Sequence, residues 1–369
     1  MRTIPGAVLV ACLVAGAMAT GSAGAEPLGP YFASPNVEYL DHVPLENDTS
    51  GARVLGGYMY VTTSRGLSIY DLEDPLAPRK VGSTILPQTP YFAQEDVDTN
   101  GRILLVATVD GVLNVVDVED KTNPQVIGRL RGGAGHTNTC ILDCTYSYAS
   151  SGQIVDLRDP TDPRLVGDWS TGLPASVTHD VTEVAPGMVV VSGPIALLDA
   201  RKDPTSPVVR ALAMGGPGGI IHSNLWPRRM KDTFLLVGGE SAGPRCGEQS
   251  ASFSTWDTRG WRRSGTFREL HEYRVESGTY TDGNAAVNTF CMHWFDDHPD
   301  FHDGGLVAVA WYEHGTRILK VGPGGRIESA GYFLPMGGAA SAAYWVTDDI
   351  IYTADYHRGI DIIRVTDAG

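Results

Sequence analysis

The sequence predicts an all-β fold of seven similar four-stranded units closed into a ring, and three observations carry the prediction. Four segments repeat one pattern: "GLSIYDLEDPLAPRKVG", "VLNVVDVEDKTNPQVIG", "GQIVDLRDPTDPRLVGDW" and "IALLDARKDPTSPVV". Their aspartates, at 71, 117, 156 and 199, are 46, 39 and 43 residues apart, the length of one four-stranded blade. The last unit lacks an outer strand, while an unclaimed strand, "NVEYLDHVPL", precedes the first. The architecture that satisfies all three is a seven-bladed β-propeller with four-stranded blades.

In chain order, residues 1–25 come first. One Arg, an apolar run from about Ala7 to Ala19 and the small residues Ala23-Gly24-Ala25 make a secretory signal peptide with an A-x-A cleavage site. The run falls short of the roughly 20 apolar residues a membrane helix needs. "LVAC", ending at Cys12, resembles a lipoprotein box, but the hydrophobic run continues past it, which favours simple cleavage near Ala25. Residues 26–369 are therefore expected to be one secreted propeller domain with no membrane insertion. Losing the signal removes one Arg and no acid, so the net charge moves from −15 to −16. A nucleic-acid or anionic-membrane partner would want a basic face and is not expected.

Each repeat has a physical logic. Val and Ile at alternate positions suit a half-buried pleat, and the Asp with the following Pro (78, 124, 163 and 207) builds a turn by side-chain-to-backbone bonding and a fixed φ. Another strand pair precedes each of these, as in "THDVTEVAPGMVVVSG". Weaker copies run to the end through "IHSNLWPRRMKDTFLLVGGE", "MHWFDDHPDFHDGGLVAVAWYEHGTRILKV" and "AASAAYWVTDDIIYTADYHRGIDIIRV", which completes seven units. The N-terminal strand is expected to close the seventh blade and so remove the sheet edges an open ring would expose. A closed ring needs no partner to be stable, so a monomer is expected.

Four cysteines remain after cleavage: Cys140, Cys144, Cys246 and Cys291. An even number in an exported chain favours two disulfides. Cys140 and Cys144 flank a tight "ILD" and are placed to bridge across a hairpin, which leaves Cys246 and Cys291 as the second pair; a Cys-x3-Cys metal site is the rival reading.

The cores "VVDVEDKTNPQVIG" and "IVDLRDPTDPRLVG" resemble the LVIVD repeat of secreted bacterial β-propellers. The resemblance implies the propeller fold and says little about activity, because propellers host many unrelated ones.

In a propeller the first strand of each blade lines the central channel, and equivalent positions form a ring about the axis. The starts of four first strands read "GHTNTC", "THDVTE", "IHSNLW" and "CMHWFD". His136, His179 and His222 follow one another at 43 residues, and His293 comes 71 later, after a long insertion that holds Cys246. Blade two offers Glu95 at the equivalent position, and blades one and seven only small residues near Ser50 and Ser341. Four imidazoles and a carboxylate at one level make a transition-metal site, with Cu or Fe favoured and Zn an alternative. The rival is a structural or proton-binding ring, which is weakened by blade one: the best-preserved repeat lacks the histidine.

His314 and His357 occupy another equivalent position 43 residues apart, after second strands, and are expected to rim the funnel above the ring as substrate-binding or acid–base groups. Tyr312, Tyr356, Arg358, Glu240 and Arg245 come from the same face. The acidic loop "DDHPDFHDG" lies on the opposite face; His298 and His302 there are read as solvated, with a Ca or Zn site as the alternative. Trp226, Trp294 and Trp345 are read as packing between blades. No G-x-S-x-G elbow is present.

Two classes of function follow. One is a metal-dependent oxidoreductase or oxygenase acting on a small molecule at the axis; its plan is similar to that of the carotenoid-cleaving oxygenases and the copper-dependent methanethiol oxidases, with no shared motif. The other is a non-catalytic extracellular binding propeller. A Zn-type hydrolase or lyase is a third reading of the same ring.

Overall fold

The computed structural model describes residues 29–44, 49–86, 97–108, 110–174, 178–213, 220–240, 252–275 and 292–366. These form seven antiparallel sheets in a ring, spanning 49–85, 98–131, 138–168, 181–213, 220–273, 295–335 and 340–365. The seventh is completed from the other end of the chain. Val37–Val43 pairs antiparallel with Gly359–Val365, Val37 opposite Val365 and Val43 opposite Ile360, so the N-terminal strand supplies the missing outer strand as expected. One strand was not anticipated: Tyr31–Ala33 lies against Ile327–Pro335 and makes blade six five-stranded. The N-terminal segment thus ties two blades together.

The Asp-Pro turns explain the repeat at atomic level. Asp71, Asp117, Asp156 and Asp199 each accept, through Oδ1, the backbone N–H two residues on, at 2.9–3.2 Å. Asp257 does the same in blade five, where the motif is too degraded to align by eye. Each turn also presses on the blade before it. A Cβ placed on Gly82 would stand 2.1 Å from the Lys121 carbonyl oxygen, on Gly128 2.1 Å from that of Pro160, and on Gly167 2.3 Å from that of Thr205. The glycine that closes each repeat is therefore demanded by the next blade's turn, and the two motifs are two halves of one contact.

The core is divided among the seams. Seven apolar clusters each span two neighbouring blades; one joins Ala342, Ile350 and Tyr352 of blade seven to Ala52, Met59 and Val61 of blade one, which closes the ring. Tyr148 and Tyr352 add polar stitches, each donating its hydroxyl to a carbonyl in the following blade's turn, Pro204 at 2.5 Å and Pro75 at 2.6 Å. Trp226 packs edge-on against Trp261 and Phe267 of its own blade and belongs to the apolar cluster that blade five shares with blade four.

Cys140 and Cys144 are at disulfide distance, their Cα atoms 4.3 Å apart, across a turn in which Leu142, Asp143 and Cys144 all have left-handed φ. Residues 1–25, Cys246, Cys291 and Arg245 lie outside the described residues. No helix among the described residues is long and apolar enough to cross a membrane.

Candidate metal centre

The four histidines come from the starts of the first strands of blades three to six, and backbone lacing between those strands sets their level. Thr137, one residue after His136, donates its hydroxyl to the carbonyl of His179 in the next blade, at 2.7 Å. Ser223, one residue after His222, does the same to His293, at 3.1 Å. Two positions further along, Thr182 repeats the contact to Asn224 at 3.2 Å. Successive first strands are thereby held without slip, and equivalent residues stay at one height.

The imidazoles meet in a chain around the axis. Ring centroids are 4.5 Å apart for His136 and His179, 3.6 Å for His179 and His222, and 4.3 Å for His222 and His293. His222 and His293 are fully buried, His136 and His179 partly exposed. His293 Nδ1 lies 2.6 Å from the carbonyl oxygen of Ser341 in blade seven. A carbonyl only accepts, so Nδ1 carries the proton and Nε2 keeps its lone pair, the arrangement that orients a ligating imidazole.

The carboxylate beside the set is Glu240, at the end of the second strand of blade five. Its Oε2 is 3.8 Å from His222 Nε2, and its Oε1 accepts the Tyr312 hydroxyl at 2.9 Å. Donor atoms of His179, His222 and Glu240 all lie within 4.8 Å of one another. Tyr312, at φ 40°, turns its ring to 4.8 Å from that of His293 and stacks on Tyr356 at 6.0 Å. Trp294 contacts the set too, its ring 5.1 Å from His222, 6.0 Å from His179 and 6.1 Å from His293. Its expected role as packing between blades therefore understates it, because the side chain also walls the imidazole cluster.

Other expected members fare differently. Glu95 lies outside the described residues, as does the side chain of Ser50. His314 does not rim the funnel: it is fully buried, and burial together with Arg317 lowers its pKa to about 3, so it is the uncharged imidazole near neutral pH. The cause is the tight Trp311–Gly315 turn, which folds the residue inward. His357 is exposed on the turn next to Tyr356, its N–H bonded to Asp355 Oδ1 at 2.8 Å. Arg358 is committed to Asp361 through two bonds of 2.8 and 2.9 Å and serves the fold.

Further along the channel, acids take over the lacing. Asp98, Asp180 and Asp296 accept the N–H of Cys140, Asn224 and Trp345 in the following blades, at 2.8, 3.0 and 3.1 Å. Burial pushes all three carboxyls up, Asp296 to about 6. A cavity of about 670 Å³ opens at this end, lined by Arg53, Asp98, Thr139, Glu183 and Arg229 and by none of the four histidines.

Fold and cluster together define a class: a seven-bladed β-propeller with imidazoles gathered on its axis. The chain carries LVIVD repeats, the family model matching residues 48–84 and 94–131, which take in the described strands of blade two and nearly all of those of blade one. The similar core in blade three lies beyond the matched residues. Among solved structures, the chain is similar to the β-propeller domain of Cps50 (Swd1) from Myceliophteria thermophila, with 14% identity and a TM-score of 0.63, covering 89% of this chain and 100% of that one. It is also similar to the WD40 β-propeller domain of Doa1, with 10% identity and a TM-score of 0.57, covering 88% of this chain and 94% of that one. At these identities the likeness shows the fold alone. No curated protein matches the sequence.

Proposed function

We propose that His136, His179, His222 and His293 hold one transition-metal ion on the propeller axis, with Glu240 as a further ligand or an orienting base. The observation that carries this is the chain of ring contacts that links four imidazoles from four successive blades, out of ten histidines in the chain, with His179 and His222 sharing a donor group with Glu240. Donors around one ion, each about 2.0–2.2 Å from it, lie within roughly 4.4 Å of one another. Donor atoms of His179, His222 and Glu240 lie within 4.8 Å of one another, so small side-chain movements would bring them onto one ion. The stack of His179 on His222 would open slightly on loading.

An imidazole-rich set without thiolate suits Cu, Fe or Zn. We favour a redox ion and a metal-dependent oxidoreductase acting on a small molecule, because Tyr312 and Tyr356 place phenols beside His293 and Glu240 is hydrogen-bonded to one of them. In that role the bound metal would supply the electron-transfer chemistry. Glu240 takes or returns the Tyr312 proton, and Ser341 fixes the His293 tautomer. Half-buried Trp294 covers one side of the imidazoles, and His222 and His293 lie beside it, fully buried.

The test is metal content by plasma mass spectrometry on natively exported protein, beside the double variant His136→Ala, His179→Ala. One equivalent of Cu or Fe present in the first and lost in the second is expected. No metal in either after reconstitution would overturn the assignment and leave a non-catalytic binding propeller; one equivalent of Zn in place of Cu or Fe would overturn the redox reading alone.

A further inference from the structure

The acidic loop on the opposite face does not behave as a solvated loop. Phe301, at its centre, is 1% exposed, and its N–H closes a turn onto the His298 carbonyl at 2.8 Å. His298 reaches into blade seven, its ring against Trp345 and its Nε2 2.8 Å from the Asp348 carbonyl. Asp303, at φ 49°, reaches the other way, into blade five, where its Oδ1 accepts the Thr233 N–H at 2.7 Å and the Thr233 hydroxyl at 2.8 Å. The loop is thus a rigid bridge across three blades.

At its blade-five end stands Asp232, whose side chain is completely buried. Its Oδ1 is shared by Arg228 Nη1 at 3.0 Å and the Asp303 N–H at 3.2 Å. Its Oδ2 is buried too and accepts no hydrogen bond among the described residues. A buried carboxylate oxygen with no donor is costly, and such an oxygen marks where a positive group belongs. Donor atoms of Asp232, His302 and Asp303 lie within 4.8 Å of one another. Two carboxylates against one guanidinium leave net negative charge for a cation to neutralise, and an imidazole beside two carboxylates is a mixed N/O set that suits Zn²⁺ better than Ca²⁺ or Mg²⁺.

We propose that Asp232, His302 and Asp303 form a second, structural cation site of the zinc class, which clamps the first hairpin of blade five to that of blade six. It lies on the opposite face from the axial histidines and does not depend on them. His302 is exposed, so ions enter from solvent and its removal leaves the fold intact.

The experiment titrates chelator-stripped protein with Zn²⁺ alone, reading stoichiometry by calorimetry and the zinc-dependent rise in Tm. It compares the wild type with His302→Ala, Asp303→Asn and, as a control in the same loop, His298→Ala. Wild type and His298→Ala are expected to take up one equivalent more than His302→Ala and Asp303→Asn, which also lose part of the zinc-dependent rise in Tm. Because the readout is a difference, failure of the axial site changes the totals from two and one to one and zero and leaves the difference standing. Equal stoichiometry and equal Tm shift in wild type and His302→Ala would overturn the clamp.

Discussion

Gly128→Ala tests the contact on which the ring depends. The new methyl carbon would lie 2.1 Å from the Pro160 carbonyl oxygen, 3.2 Å from its carbon and 3.2 Å from Pro163 Cδ. An ordinary contact needs about 3.3 Å, so the seam between blades two and three must open by roughly 1 Å. What stands in the way is backbone, fixed by its own Asp159 turn, with no rotamer to swing aside. Overpacking typically costs about 1–3 kcal/mol, and a rigid obstacle puts this variant near 3 kcal/mol. With an unfolding entropy of about 2.1 cal/mol/K per residue over roughly 340 residues, that is a fall in Tm of about 4 °C. Gly322→Ala is the control, since its methyl would meet only the Arg326 carbonyl oxygen, at 3.6 Å. Scanning calorimetry and urea titration of both variants decide the matter. If Gly128→Ala proves as stable as Gly322→Ala, the glycine does not owe its place to the neighbouring turn, and the account of the repeat as a seam contact is wrong.

Stability should rise as pH falls from 8 to 5. Burial lifts Asp296 and Asp355 to about 6, so the folded chain holds protons that the unfolded chain, with carboxyls near 4, has released. Their contribution is complete below about pH 4 and is lost as pH rises through 6, on the order of 3 kcal/mol for each group. Asp180 and Asp297, lifted to about 7 by burial, act in the same sense; His314, lowered to about 3 by burial, opposes them below about pH 6.5 and offsets part of the gain, and Asp257, lowered to about 2 mainly by its bond to Arg259, opposes only in stronger acid. A urea midpoint that is flat or higher at pH 8 than at pH 5 would refute this, and Asp296→Asn should reduce the slope. Ser223→Ala removes the hydroxyl that ties blade five to the His293 carbonyl; about 1 kcal/mol of stability and about tenfold in metal affinity should go with it, by chelator competition. Affinity left intact while stability drops would mean that the lacing serves the fold alone. Glu240→Gln keeps the shape beside His222 and removes the charge, and a 10- to 100-fold weaker metal affinity is expected. No change would place Glu240 outside the metal's surroundings.

The ring was legible because a propeller turns sequence period into angle. His136, His179 and His222 recur at 43 residues, one blade, so equal spacing along the chain becomes equal height on the axis, whatever the loops do. His293 survives the long insertion for the same reason: it is counted from the start of its own strand. What the period does not encode was missed. His314 and His357 share a spacing of 43 residues as well, yet one is fully buried and the other exposed, because loop position is fixed by local turns and the left-handed φ of Tyr312 has no counterpart in blade seven. The fifth strand of blade six carries no repeat signature, only three residues that find an open edge.

Glu240 shows what period reading does not supply. Equivalence between blades points to Glu95 as the carboxylate of the ring, and Glu95 lies outside the described residues. The carboxylate found against His222 ends a second strand, at Ile220's partner position in blade five, with its Oε2 3.8 Å from His222 Nε2. A repeat fixes which residues share a height within one strand position. Contacts between different strand positions depend on twist and side-chain length, which no spacing records. The same reason hid Asp232 as the partner of His302 and Asp303: it lies 70 residues before the first of them, on the adjacent hairpin, while the sequence offered a Ca or Zn site only among the residues of the acidic loop itself. Symmetric features of this propeller are therefore readable in its sequence, and the asymmetric ones, which give each face its chemistry, are read from the structure.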